Sequence, residues 1–220
     1  QSSAGVSGYY KYNGAVAVGT IVCFAPYSQD TVGVVDTATS TFSTIGTASA
    51  GVSGDYKYAG AAAVGGKVYF GPFNQDNVGV LDIATSAFST IGTASAGVSG
   101  DYKYKGAAAV GTNVYFAPYA MGNVGMLDTT TSTFTTIDTE AAGISGQGAW
   151  RYLGAVALGG KVYFAPSNQD GIGVVDAASS TFSTIDVTAA TDTGVGGSRY
   201  RATGGTQGGC LLYTSDAADE

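Results

Sequence analysis

The chain has 220 residues, of which only 11% are charged, and 9 Lys and Arg against 16 Asp and Glu give a formal net charge of −7. The charged fraction lies well below the ~25% usual in soluble domains, but Val, Tyr and Phe recur at fixed places and supply the apolar surface that a disordered chain lacks. The sequence contains no histidine, so neither a Ser-His-Asp triad nor a typical zinc site can be assembled from it, and the net negative charge disfavours nucleic acid as a partner. No apolar run approaches the ~18 residues of a membrane helix.

The sequence repeats every 46 residues, which is the interval from Lys11 to Lys57 and from Lys57 to Lys103. Residues 42–58 (FSTIGTASAGVSGDYKY) recur letter for letter at 88–104. A fixed period of this size is typical of stacked supersecondary units. Four units are anchored at residues 11, 57, 103 and 151, and a fifth begins at Arg199 and loses its pattern over residues 202–209. We therefore interpret residues 1–209 as a single repeat domain.

The second unit shows the predicted elements in chain order. Gly65 and Gly66 separate two short apolar segments and predict a hairpin, since glycine readily adopts the positive φ angles of a primed two-residue turn. The predicted strands are residues 61–64, 67–71, 78–82 and 87–91, with a loop at 72–77 and a turn at 83–86. The aspartates before the Thr-rich turns are interpreted as turn-stabilising residues; they are Asp36, Asp82, Asp128 and Asp176. A long linker rich in Gly, Ala and Ser leads to the next unit.

Four short segments per unit, which are β-branched or aromatic and broken by glycine, give little support for helices. Four strands in 46 residues match the content of a propeller blade, because WD40 repeats span ~40 to 45 residues and kelch repeats ~50. Strands that are apolar on both faces also fit, since each blade packs between two neighbours. The sequence therefore predicts an all-β fold, a β-propeller of four-stranded meander blades with about four blades and a partial fifth.

Residues 67–91 (KVYFGPFNQDNVGVLDIATSAFSTI) resemble the YVTN-type repeat, which has an aromatic strand, a polar loop and an Asp-containing strand before a Thr-rich turn. The glycine hairpin and the Asp before the turn are also similar to kelch repeats, although Ala-Pro or Gly-Pro stands where kelch carries a glycine doublet. The resemblance covers residues 1 to about 201 and implies rings of six to eight blades, so that this chain is expected to be part of a larger ring. It also implies a secreted or cell-surface location.

Residues 210–220 (CLLYTSDAADE) match no repeat and resemble translated sequencing adapter, so we interpret them as a non-native tail; a genuine acidic tail is the alternative. Without them the net charge is −4, from 9 Lys and Arg against 13 Asp and Glu, and Cys23 is the cysteine that is left. Cys23 stands at a strand position that the other units fill with tyrosine, which favours a small packed hydrophobe over a nucleophile.

Five of the nine basic residues occupy one repeat position, the anchor, at the entry to each unit's first strand: Lys11, Lys57, Lys103, Arg151 and Arg199. In a propeller that strand lines the central channel, so the anchors and the aromatic residues beside them are expected to form a partial ring at the channel mouth. The loops between the second and third strands reach the same face and carry Asp30, Asp76 and Asp170. A cationic ring concentrates an anionic ligand, and aromatic rings stack on sugars. The predicted ligand-binding residues are Lys11, Tyr12, Lys57, Tyr58, Lys103, Tyr104, Trp150, Arg151 and Tyr152.

An architectural role is the alternative for the anchors, in which Lys57 pairs with Asp76 or Asp55 and the tyrosines pack between blades. The first functional hypothesis is a non-catalytic propeller that binds a protein or glycan ligand, an anionic glycan being the class that a basic and aromatic face fits. It predicts no catalytic residue, no metal and no cofactor. Two alternatives stay open: an enzyme whose catalytic residues lie in blades outside this sequence, and a structural surface or cell-wall repeat protein.

Overall fold

The structure, a computed structural model, describes residues 5–144 and 150–187, and within them it contains sixteen β-strands and three 3-10 helices. The strands are β1 Tyr12–Val18, β2 Ile21–Pro26, β3 Thr31–Asp36, β4 Thr41–Gly46, β5 Tyr58–Val64, β6 Lys67–Pro72, β7 Asn77–Asp82, β8 Ala87–Gly92, β9 Tyr104–Val110, β10 Asn113–Pro118, β11 Asn123–Asp128, β12 Thr133–Asp138, β13 Tyr152–Leu158, β14 Lys161–Pro166, β15 Gly171–Asp176 and β16 Thr181–Asp186. The 3-10 helices lie in the linkers, at Ala48–Ala50, Ala94–Ala96 and Glu140–Ala142. The predictions for Arg199, for the fifth unit and for residues 210–220 fall outside the described residues.

The strands form four antiparallel sheets, and in each sheet the strands that follow one another in sequence are neighbours. We call these sheets blades 1 to 4, which consist of β1–β4, β5–β8, β9–β12 and β13–β16. The turn between the first two strands of blade 2 has φ angles of 58° at Gly65 and 76° at Gly66, as a primed hairpin turn requires. The predicted all-β fold of four-stranded meander blades is confirmed.

The first strand of each blade is longer than the sequence pattern predicted. In blade 2 it begins at Tyr58 instead of residue 61, because it continues across a register shift between Tyr58 and Ala61 and pairs Tyr58 with Pro72. A shift of this kind bends the strand, and Gly60 within it has a φ of 87°. The same irregularity occurs in β1, β9 and β13. Tyr58 therefore belongs to the strand, and its ring is buried in the core.

Each blade packs through two apolar faces, a front face toward the preceding blade and a rear face toward the following one. In blade 2 the front face consists of Tyr58, Ala61, Val68, Phe70, Leu81 and Phe88, and the rear face of Ala62, Tyr69, Val78, Val80 and Ile91. Three cores result, one at each junction between consecutive blades. Cys23 is fully buried on the rear face of blade 1, and burial raises the pKa of its thiol to about 11. It is a packed hydrophobe, as its strand position indicated.

Three aromatic rings cover a glycine on the front face of blade 2. The ring centroids of Tyr58, Phe70 and Phe88 lie 6.2 to 6.3 Å apart. A Cβ atom at Gly79 would lie 2.9 Å from Cζ of Phe88 and 3.0 Å from Cζ of Tyr58. The rings can close over the third strand only because this residue has no side chain, and the same arrangement recurs at Gly125 and Gly173.

The inner strands β1, β5, β9 and β13 approach one another so closely that a side chain at the contact would collide with backbone. A Cβ atom added to Gly60 would lie 2.5 Å from Cα of Gly106, and one added to Gly106 would lie 2.7 Å from Cα of Gly154. A Cβ atom added to Gly14 would lie 2.8 Å from Cα of Gly60. Because the colliding atoms are backbone, no change of rotamer relieves the contact. This row of four residues, which we call the glycine ladder, sets the spacing of the blades.

Gly60→Ala is expected to lower the free energy of unfolding by about 3 kcal/mol, because the methyl group meets the Gly106 backbone and the residue must keep a positive φ. Urea titration followed by far-ultraviolet circular dichroism measures the change. Gly92→Ala is the control, since a Cβ atom there meets open space, and it should change stability by less than about 0.5 kcal/mol. Equal effects of the two substitutions would show that the glycine ladder does not limit blade spacing.

Candidate functional site

The anchors join consecutive blades through their backbones. Lys57 donates its N–H to the carbonyl of Tyr27 in blade 1 at 2.9 Å, and its own carbonyl accepts from the N–H groups of Phe73 and Asn74 in blade 2. The next two anchors make the same bond to the preceding blade, Lys103 to the carbonyl of Phe73 and Arg151 to the carbonyl of Tyr119. The anchors thus lie between the loops that connect the second and third strands of neighbouring blades.

The lysine side chains are buried between blades and do not form an exposed cationic ring. Lys57 is 0% exposed, and its Nζ donates to Oδ1 of Asp30 at 2.9 Å and to the carbonyl of Gly54. Lys103 is equally buried and donates to Oδ1 of Asp76 at 2.9 Å. The expected exposure of these two cations was therefore wrong, and their ion pairs join neighbouring blades.

The carboxylate that pairs with Lys57 comes from the preceding blade. The architectural alternative had named Asp76, in the loop of the same blade, or Asp55, in the linker, and the observed partner is Asp30. The overlap of neighbouring blades is the reason, because the Tyr27 carbonyl holds the backbone of Lys57 beside the blade 1 loop that carries Asp30. The ion pairs of Lys57 with Asp30 and of Lys103 with Asp76 therefore fasten one blade to the next.

The two members of each ion pair lie at different depths. The side chains of Asp30 and Asp76 are 61% and 55% exposed, whereas both lysines are fully buried. Burial lowers the pKa of Lys103 below its ordinary value, and the ion pair with Asp76 opposes that shift. The solvent therefore meets the carboxylates and not the ammonium groups.

The exposed charge of this face is acidic. Besides the two paired aspartates, Asp55, Asp101 and Asp170 are exposed, whereas the cations Lys11 and Lys105 are half-buried. Like charges repel, and a face whose solvated groups are carboxylates does not concentrate anions. The basic repeat position of the sequence thus becomes an acidic surface in the fold.

The junction between blades 3 and 4 departs from this pattern. Arg151 takes the anchor position with 3% of its surface exposed, and Gly122 stands where the other two loops carry Asp30 and Asp76. Burial lowers the pKa of the Arg151 guanidinium. The replacement of aspartate by glycine removes one exposed carboxylate from this part of the face.

The tyrosines that follow the anchors are core residues. Tyr58, Tyr104 and Tyr152 are fully buried, and the hydroxyls of Tyr58 and Tyr104 donate to Oδ1 of Asn77 at 2.5 Å and of Asn123 at 2.6 Å. Burial raises the pKa of Tyr152 to about 12 and also raises the pKa of Tyr58 and of Tyr104. These three rings fill the junctions between blades.

Trp150 is the exposed member of the nine predicted ligand-binding residues, at 53%. Lys11 and Tyr12 are half-buried, in a blade whose front face meets no other blade within residues 5–144 and 150–187. The remaining six are buried. Contact between any of the nine and a ligand stays a prediction.

The residue before each anchor is aromatic and has a left-handed backbone. Its φ angle is 50° at Tyr10, 55° at Tyr56, 57° at Tyr102 and 73° at Trp150. This conformation costs a bulky residue on the order of 1–2 kcal/mol, and a hydrogen bond helps to hold it, since the N–H of Asn168 donates to the Trp150 carbonyl at 2.9 Å. Three of these rings are exposed, and Tyr56 is half-buried.

Three of these rings, those of Tyr10, Tyr56 and Tyr102, form a row with aromatic residues of the loops. We call aromatic ridge the set Tyr10, Tyr27, Tyr56, Phe73, Tyr102, Tyr119 and Trp150. The ring centroid of Tyr27 lies 4.9 Å from that of Tyr56 and 5.5 Å from that of Phe73, which is 5.5 Å from that of Tyr119. Nζ of Lys105 lies 5.3 Å from the Tyr119 centroid, within the range of a cation–π contact. Contacts between rings carry the ridge across the first two junctions, and Trp150 holds the equivalent position in blade 4.

The predicted ligand contacts include Trp150 and the tyrosines after the anchors. They do not include Tyr10, Tyr56 and Tyr102, which precede the anchors as Trp150 does. A signal that separates the two groups is their position relative to the inner strand. The strand begins one residue after the anchor, as at Tyr58, so the residue after the anchor enters the blade and the residue before it lies outside. Strand boundaries placed three residues too late concealed this distinction.

The opposite end of each blade carries a tight turn held by an aspartate. Backbone N–H groups donate to these carboxylates at 2.8 to 3.0 Å, from Ala38 to Asp36, from Thr85 to Asp82, from Thr130 to Asp128 and from Ala178 to Asp176. Backbone hydrogen bonds are the main reason that the pKa values of Asp82, Asp128 and Asp176 lie below the ordinary value, and for Asp176 the bond from the N–H of Ser179 contributes most, followed by that from Ala178. The interpretation of these aspartates as turn-stabilising residues is confirmed.

Neither a cluster of metal-ligating side chains nor a membrane-spanning helix occurs in the part of the chain that the structure describes. There, no three His, Cys, Asp or Glu side chains gather as a metal ion would require. None of the helices in the same residues is long and apolar enough to cross a membrane. The groups that the face of the aromatic ridge presents are aromatic rings, carboxylates and loop amides.

Several solved structures share this fold at low sequence identity. Virginiamycin B lyase from Staphylococcus aureus matches with a TM-score of 0.61 and 12% identity, over 80% of this chain and 55% of that chain. Hydrazine synthase from Kuenenia stuttgartiensis matches with a TM-score of 0.55 and 15% identity, over 84% of this chain and 52% of that chain. An auxiliary nutrient binding protein from Bacteroides thetaiotaomicron matches with a TM-score of 0.54 and 16% identity, over 79% and 41%. The chain spans about half the length of the first two.

Comparison by sequence adds no family. No protein-family model matches the chain, and no curated protein matches it. Structural likeness at identities of 12 to 16% shows a common fold, and a fold of this kind hosts unrelated functions. The similarity to YVTN-type and kelch-like repeats stays an interpretation of the sequence.

Asp30→Asn is expected to lower the free energy of unfolding more than Lys57→Met does, and the difference between the two variants should be about 2 kcal/mol. The asparagine leaves a buried ammonium without its charged partner, whereas the methionine leaves a carboxylate that is already solvated and retains an apolar stem. Denaturant unfolding of both variants and of the double variant gives each free energy and their coupling. Asp55→Asn serves as the control, because Asp55 is exposed and forms no ion pair among the described residues. If Lys57→Met lost more free energy of unfolding than Asp30→Asn, this lysine would stabilise the protein through its packing.

Stability is expected to fall as the pH rises above about 10. Because burial raises the pKa of Tyr58, Tyr104 and Tyr152, the unfolded chain releases these protons at a lower pH than the folded chain, and unfolding is favoured. Lys103 acts in the opposite sense, since burial lowers its pKa, but it is one group against three. In an alkaline titration that records tyrosinate absorbance and circular dichroism together, the part of the absorbance that comes from these buried tyrosines should change in one step with the circular dichroism. Complete ionisation of the tyrosines before the circular dichroism changes would contradict this expectation.

Proposed function

We propose that the protein is a non-catalytic binding scaffold whose aromatic ridge takes an uncharged carbohydrate. The observation that carries this proposal is the repeated left-handed aromatic residue, which is present before the anchor in all four blades. Backbone strain at equivalent positions persists only where the surrounding structure holds it, and such strain is common at ligand sites. The exposed rings of Tyr102 and Trp150 are flat apolar surfaces on which the C–H faces of sugars can stack.

The charge of the face favours a neutral sugar over the anionic glycan that the sequence suggested. An anionic ligand needs exposed cations, and Lys57 and Lys103 are buried behind Asp30 and Asp76. Those carboxylates repel an anion but can accept hydrogen bonds from sugar hydroxyls. The amide side chains of the same loops, such as that of Asn74, offer both donors and acceptors.

The neighbours by fold include both a lyase and a nutrient binding protein, so the fold is compatible with catalysis and with binding. A histidine-to-alanine variant of the virginiamycin B lyase is described as catalytically inactive. The present sequence contains no histidine. A reaction that depends on histidine would need that residue from outside this sequence, whereas binding on the aromatic ridge needs none, and this difference favours binding.

Trp150 provides a direct test, because it is the single tryptophan of the chain and lies on the ridge. Neutral oligosaccharides such as cello- or malto-oligosaccharides are expected to change its fluorescence in a saturable manner, and an anionic oligogalacturonide to change it less. Tyr102→Ala should weaken binding about tenfold, while Tyr102→Phe, which keeps the ring, should bind as the parent does. Preference for the anionic sugar, or equal binding by Tyr102→Ala and the parent, would contradict the proposal.

A further inference from the structure

The rear face of blade 4 is an apolar surface on which no described residue packs. Leu158 is 72% exposed, and Val156 and Ile185 are exposed as well. In blade 2 the equivalent residues, Val64, Ala62 and Ile91, are buried or half-buried in the core at the junction with blade 3. These three residues of blade 4 are thus exposed on a face that in the preceding blades forms a core, while Val174 on the same face is buried.

The front face of blade 1 is the complementary surface at the other end of the row. Phe42 is 43% exposed, whereas Phe88 at the same position in blade 2 is 8% exposed. Tyr12 and Phe24 are half-buried, although their equivalents Tyr58 and Phe70 are fully buried. This face carries the same residue types that fill the front of every later blade.

We propose that the rear face of blade 4 docks on the front face of blade 1 of a second copy of this chain. Rear-to-front packing of these residue types already occurs three times within the chain, once in each of its cores. The proposed junction is a fourth instance of that packing, with the exposed Val156, Leu158 and Ile185 opposite Tyr12, Phe24 and Phe42. It also brings Gly154 to Gly14 of the second copy, which is the next step of the glycine ladder.

Each chain offers one rear face and one front face, so that two copies can form two such junctions. A heterologous contact gives either a closed ring or an open filament. Two copies of four blades with two such junctions make eight blades, which lies within the four to eight blades of known propellers. The pairing also extends the aromatic ridge from Trp150 to Tyr10 of the second copy. It does not depend on the proposed function, because its evidence is the packing of blades and its readout is mass.

Size-exclusion chromatography with light scattering on the full chain is expected to give twice the 21.9 kDa of one chain. Leu158→Lys, which adds a charge to the rear face, and Phe42→Lys, which adds one to the front face, should each reduce the mass to that of a monomer. Thr130→Lys, on an exposed turn, is the control and should remain a dimer. Circular dichroism like that of the parent establishes that each variant is folded.

Mixing the two blocked variants distinguishes rear-to-front pairing from other dimers. The intact front of Leu158→Lys can still dock on the intact rear of Phe42→Lys, so the mixture is expected to regain a dimer through one junction. A parent chain that stays monomeric at all concentrations would overturn the proposal. In that case either residues 188–209 or nothing would cover the rear face. A Phe42→Lys variant that remains dimeric would also overturn the proposal, as would a parent whose mass grows without limit as an open filament does.

Discussion

The close approach of the inner strands is the constraint on which the rest of the structure depends. At the glycine ladder the backbones of neighbouring blades come so near that a Cβ atom at Gly60 would lie 2.5 Å from Cα of Gly106. This contact brings the loop of one blade over the next anchor, so that the N–H of Lys57 reaches the Tyr27 carbonyl. Farther out, the space between blades is wide enough for rings such as Tyr58 and Phe70 to fill it.

Burial at the junctions reverses the electrostatic character of the face. The anchor lysines are the basic feature of the repeat, yet their ammonium groups are covered and their partners, Asp30 and Asp76, lie at the surface. A buried cation needs a charged or hydrogen-bonded partner, and the overlapping loop of the preceding blade supplies it. The solvated part of each of these ion pairs is therefore the acid. The aromatic residue before the anchor, which is exposed in three of the four blades, becomes the prominent feature of the face.

Repetition predicts which residues are equivalent but not the direction in which they point. The glycine hairpins, the turn aspartates and the meander of four strands could be predicted, since each follows from residues close together in sequence. The exposure of Lys57 could not, because the group that covers it, Asp30, is 27 positions away and belongs to another blade. The start of β5 at Tyr58 was also missed, since the register shift that extends the strand depends on Gly60 and its contact with Gly106.

The sequence by itself determined the period, the four strands of each unit and the apolar residues on both faces of each strand, because hydrophobic alternation and turn chemistry act locally. Only the tertiary structure decided which side chains those faces cover. The tyrosine after each anchor and the aromatic residue before it look alike in sequence, but Tyr104 is buried between blades while Tyr102 is exposed. The physical reason is that burial in a repeat fold arises between units, and a single unit does not contain the surface that will cover it.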